Sequence, residues 1–142
     1  MREDDRKLFA WSTLLASAIY LVSLFFPWDR ARFPGTLHGW DTLLGVVSGV
    51  VALAVFLAMH AYSVGQLRPL VASYLAFALV FFTAARLIND DVVSTAGYTP
   101  DWAAYVGVVA AVAALVTSLV VLAGSWRAFV DRFPAVLRID RL

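Results

Sequence analysis

The stretch from Trp102 to Trp126, WAAYVGVVAAVAALVTSLVVLAGSW, runs for 25 residues without a charge. No other feature narrows the possible folds as much. A helix rising about 1.5 Å per residue would carry it roughly 36 Å, more than the roughly 30 Å of a bilayer's hydrocarbon core. The tryptophan at each end suits a headgroup region, where an indole buries its ring and keeps its N–H near water. Three further runs resemble it: Leu8–Pro27, Leu43–Tyr62 and Leu70–Ile88. The chain is 62% hydrophobic, against roughly 45–50% apolar for a soluble domain, and the excess collects in these four runs. The pattern predicts one all-α transmembrane domain over residues 1–142. Its form is an integral membrane four-helix bundle with spans at about 8–27, 43–62, 70–88 and 102–126.

Local signals mark the boundaries. Pro27 ends the first run, because proline disfavours helix in the residue before it. The run is too long for the roughly 7–15-residue core of a signal peptide, so it is expected to be retained. Trp28–Asp41 reads as a polar connection with a Pro34-Gly35 turn, and Asp41 as an N-cap for span two. Pro69 fits the first turn of span three, and Thr99-Pro100-Asp101 reads as the start of span four. Into the tail, 127–142, Trp126, Phe129, Val130 and Phe133 recur at helical spacing with Arg127, Asp131 and Arg132 between them. That predicts a short amphipathic C-terminal helix in the headgroup region.

Orientation follows from the basic residues. Arg2, Arg6, Lys7, Arg68, Arg127, Arg132, Arg138 and Arg141 fall on one side of the expected membrane; Arg30, Arg32 and Arg86 fall on the other. The positive-inside rule then puts both termini in the cytoplasm. Ten arginines against one lysine, with Ala- and Val-rich spans, point to a GC-rich bacterial genome and so to a bacterial cytoplasmic (inner) membrane.

Several function classes lose their chemistry here. A net charge of +1 with no basic face argues against nucleic acid. Without cysteine there is no thiolate site. His38 and His60 lie roughly 27 Å apart by helix rise and cannot share a metal or haem, so no metal or cofactor is expected. No serine-histidine-acid order, phosphate loop or carboxylate pair can be assembled, so no catalytic residue is assigned and no enzyme is expected. No acid lies inside a run, which argues against proton- or sodium-coupled transport. Seven hydroxyls (Ser12, Ser17, Ser48, Ser73, Thr83, Thr117 and Ser118) could line a pore, or bond to their own helices.

Two sets of residues remain as candidates. Arg86 is the only arginine inside a run, with Asp90 and Asp91 just beyond it. It either reaches the interface and pairs with Asp90 at i+4, or forms with the two acids an anion, lipid-headgroup or partner-carboxylate site facing the bundle. Gly45 and Gly49 on span two, and Gly107 and Ala111 on span four, offer small faces for close helix approach, which predicts that these two spans make the tightest pair.

Leu24-Phe25-Phe26-Pro27-Trp28, followed by Gly39-Trp40, resembles the first outer loop of small four-span actinobacterial membrane proteins. That family is largely uncharacterised, so the resemblance implies a fold and no activity. Claudin-like proteins share four spans and outer-loop tryptophans; here the loop is too short for their extracellular sheet and their cysteine pair is absent. The function expected from these readings is helix–helix association in the lipid bilayer, as a homo-oligomer or an accessory subunit of other membrane proteins. The alternative is a channel or transport element formed by oligomerisation.

Overall fold

The computed structural model describes residues 2–31, 36–88 and 98–130. Asp90 and Asp91, the Pro34-Gly35 turn and the tail from 131 onward lie outside the described residues. Four helices account for most of the rest: α1 (Glu3–Ser23), α2 (Leu43–Ser63), α3 (Pro69–Ile88) and α4 (Trp102–Val130). Three of them, α2, α3 and α4, are long and apolar enough to cross a membrane. In α1 the first five residues, Glu3 to Lys7, are all charged. Its apolar part, Leu8–Ser23, spans roughly 24 Å as helix.

The α1 boundaries differ from those expected. The helix starts earlier, with acids in its first turn, where they suit the positive end of the helix dipole. It ends at Ser23 rather than Pro27: the N–H groups of Leu24, Phe25 and Phe26 bond three residues back, to Leu21, Val22 and Ser23, a tightened last turn. Pro27 instead opens a strand. The helix α2 starts as expected, but its cap is Thr42, whose Oγ1 accepts from the Gly45 N–H at 3.1 Å. Asp41 turns back to accept from the His38 N–H at 2.6 Å. The proline of α3 occupies its first position, where a missing N–H costs no helical bond. The last helix runs unbroken past Trp126 to Val130, so the first four tail residues continue it rather than start a separate interfacial helix.

The connections also hold a small sheet that the polar composition of those segments did not announce. Strands β1 (Pro27–Ala31), β2 (Thr36–His38) and β3 (Tyr98–Pro100) pair antiparallel in the order β2-β1-β3. Two connections far apart in sequence thus zip together at one end of the helices. Pro100 belongs to this sheet, and the Thr99 hydroxyl reaches the Arg30 carbonyl at 3.4 Å rather than capping α4. Asp101 stands at the start of α4, its Oδ1 accepting from the Trp102 N–H at 2.8 Å.

The helices pack in a ring: α1 against α2 and α4, and α3 against α2 and α4. Spans two and four, expected to form the tightest pair, are not among the helix pairs in extensive contact. The reason is what fills the middle. Tyr20 of α1, Leu24 just after it and Trp28 of β1 are buried with Ala52 of α2, Leu79 of α3 and Ala103, Ala104, Ala110 and Ala111 of α4. The small residues leave room for these bulky side chains instead of bringing two backbones together. A second cluster, Ala10, Leu14, Ala58, Met59, Ala72 and Val121, fills the other half.

Candidate functional site

All seven hydroxyls singled out from the sequence bond to a carbonyl of their own helix. Three hydroxyl contacts also cross between helices. Thr13 and Thr117 meet at 2.7 Å, Tyr20 and Thr83 at 2.9 Å, and the Ser73 hydroxyl donates to the Ser118 carbonyl at 3.1 Å. Of the seven residues, Ser17, Ser48, Ser73, Thr83 and Ser118 are buried inside the chain.

The sharpest polar feature is Arg86. It does not reach out to the interface: it is 5% exposed, near the end of α3 and beneath the sheet. Its Nη1 donates to the Gly39 carbonyl. Its Nη2 lies 3.4 Å from Asp29 Oδ2 and 3.4 Å from the His38 carbonyl. The guanidinium carbon stands 4.3 Å from the centre of the Trp28 ring, a cation–π arrangement. The carboxylate and carbonyls at its edge and the ring at its face suit a planar, delocalised cation better than a lysine ammonium. Asp90 and Asp91, the acids grouped with Arg86 from sequence, lie outside the described residues.

Asp29 was not recognised as a partner from sequence. It is 3% exposed, and its neighbour Trp28 is 1% exposed. Adjacent residues of a regular strand point to opposite faces. Here the pairing register of β1 shifts between Pro27 and Asp29, and an irregularity of that kind re-aims side chains. Both residues can then face the helices. Trp28 is fixed further by its Nε1–H, which donates at 2.9 Å to the Ser23 carbonyl, an acceptor it shares with the Phe26 N–H of the last turn of α1. Tyr20 meets the Trp28 ring edge-on at 5.8 Å.

The glycines expected to join helices instead make room for this assembly. A Cβ on Gly45 would run into the Gly39 carbonyl oxygen and come within 3.0 Å of Arg86 Nη1. One on Gly107 would collide with the Trp28 ring, and one on Gly49 would come within 2.9 Å of Leu24 Cδ1. Ala111 is buried in the cluster around Trp28. Gly45, Gly49 and Gly107 therefore pack against residues of the sheet end and the end of α1.

The rim is held more loosely. Arg30 Nη2 lies 3.0 Å from Asp101 Oδ2, close enough for an ion pair but off the axis of a hydrogen bond. The Asp101 N–H donates to the Trp28 carbonyl at 2.7 Å. Phe25 stacks edge-on with Trp40 at 3.9 Å, and Phe26 lies 5.2 Å from Trp102. These four aromatics are exposed, as side chains at a membrane interface are. No family model, curated protein or solved structure matches this chain. Chemically, the node around Arg86 is a clamp: its cation, carboxylate and ring are turned toward one another. His60 is exposed on α2, beside a cleft that includes Trp11 and Phe56, far along the chain from His38 in β2.

Proposed function

We propose that this chain is a non-enzymatic integral membrane protein that acts through helix–helix association, as a homo-oligomer or an accessory subunit of a membrane complex. In this reading α1 crosses the membrane with the other three helices, forming a four-helix bundle in a bacterial inner membrane with both termini cytoplasmic. The sheet and the Arg86 node cap its outer end. One observation carries the reading: the interior hydroxyls are bonded within the chain, and the polar centre at the outer end is closed on itself. The sides, by contrast, present large apolar side chains, among them Leu15, Val50, Phe77, Phe81, Val109 and Val116. A pore assembled from several copies would need polar groups on such faces; interactions with lipid and with other helices do not.

The test is the size of the purified protein in mild detergent, together with whatever co-purifies at fixed stoichiometry. A defined oligomer or a stoichiometric membrane partner is the expected result. A monodisperse monomer that brings no partner with it from gently solubilised membranes overturns the association reading.

A further inference from the structure

At the end of the molecule opposite the sheet, a cleft of about 380 Å³ opens between the start of α3 and the end of α4. It is lined by Arg68, Leu70, Leu122, Ser125 and Trp126. The Ser125 hydroxyl is bonded to the Leu122 carbonyl at 2.8 Å, so it is turned to its own helix. The remaining walls are two leucines, an indole and the arginine. Arg68 is exposed, and it makes no ion pair among the described residues. Arg127, next along α4 from Trp126, makes none among them either. Arg68 ends the short Val64–Arg68 turn between α2 and α3, and Trp126 marks the same level on α4.

We propose that this cleft binds an anionic phospholipid, with the Arg68 guanidinium at the phosphate and an acyl chain against Leu70 and Leu122. The cleft joins a basic mouth to an apolar wall at the depth where a lipid's phosphate joins its hydrocarbon. Basic clefts between helices on the cytoplasmic side are where anionic headgroups are held, and a guanidinium matches phosphate oxygens two at a time. A second copy of the chain is the poorer occupant. In the same membrane it presents its own Arg68 and Arg127 at the same depth, setting like charges together. The inference rests on the membrane placement proposed above and is independent of the association reading.

The test uses the full chain in a neutral detergent, titrated with phosphatidylglycerol, phosphatidylcholine or inorganic phosphate. Bound lipid is counted by native mass spectrometry and thermal stability is followed in parallel. Phosphatidylglycerol should bind as one retained lipid and raise the melting temperature; phosphatidylcholine and inorganic phosphate should do neither. Arg68→Gln should weaken binding about five- to tenfold, whereas Arg6→Gln, a charge removed from α1, should leave it unchanged. Leu122→Trp, which fills the cleft and keeps every charge, should abolish retention; should that variant not fold, Arg68→Gln on the exposed turn decides alone. Equal losses from Arg68→Gln and Arg6→Gln would reduce the effect to diffuse charge and overturn the site. Equal retention of phosphatidylcholine, or displacement of the lipid by inorganic phosphate, would also overturn it. Oligomer size, read from the same spectra, reports separately on association.

Discussion

Replacing Arg86 by methionine removes the guanidinium and keeps an unbranched stem in the same space. The change takes away the pair with Asp29, the donors to the Gly39 and His38 carbonyls, and the cation over Trp28. Asp29 stays at 3% exposure and loses the guanidinium beside it. Taking one partner from a buried ion pair costs about 3–5 kcal/mol, most of it from stranding the other charge. Arg86→Lys keeps the charge but loses the flat face and the forked donors, for which about 1–3 kcal/mol is the matching estimate. Asp29 and Arg86 act as one unit, so Arg86→Met should cost less in an Asp29→Leu background, by about 0.5–3 kcal/mol. The assay is equilibrium unfolding of the wild type and the four variants in one detergent, with near-ultraviolet circular dichroism following the buried Trp28. A wild-type unfolding curve for both Arg86→Met and Arg86→Lys, or strict additivity in the double variant, would refute the clamp.

Further outcomes follow from the same geometry. Gly107→Leu should displace the Trp28 ring and Gly45→Ala should push the Gly39 carbonyl away, each lowering the melting temperature; retention of the wild-type melt by both would show that Trp28 and the Gly39 loop are not held against those helices. Thr13→Val breaks the α1–α4 hydroxyl contact and should cost about 0.6 kcal/mol, the average for such bonds between membrane helices, read by the same unfolding assay. Cysteines introduced at Gly35 and Ser94 should react with a membrane-impermeant thiol reagent in intact cells, while one at Gln66 should not; reaction at Gln66 with silence at Ser94 would invert the proposed topology.

Helix positions were legible because each depends on a local rule. The apolar runs are bounded by prolines and loop signals, and α2, α3 and the start of α4 fall within a residue of the expected limits. The α1 boundaries were less legible. Its charged first turn continues the helix, and its last turn tightens before Pro27. Arg86 could be singled out as the only arginine in a run, but its partner could not. Asp90 is four residues away in sequence and Asp29 is 57, and the i, i+4 rule concerns only neighbours on one helix.

The glycines carry the same lesson. Gly45, Gly49 and Gly107 announce close approach, because a missing Cβ leaves room in any packing scheme. What approaches is set by the tertiary fold: a loop carbonyl, a leucine and an indole. The sheet is the clearest case. Pro27–Ala31, Thr36–His38 and Tyr98–Pro100 are too short to declare themselves as strands, and β1 and β3 are separated by two complete helices. By itself, then, the chain's composition determined where helices form and that three of them can cross a membrane, since helical hydrogen bonds and hydrophobic length are properties of contiguous residues. Only the tertiary structure decided that two distant connections meet as a sheet, that Trp28 and Asp29 both turn inward, and that a buried arginine is held there, because each of those depends on groups brought together by the packing of the helices.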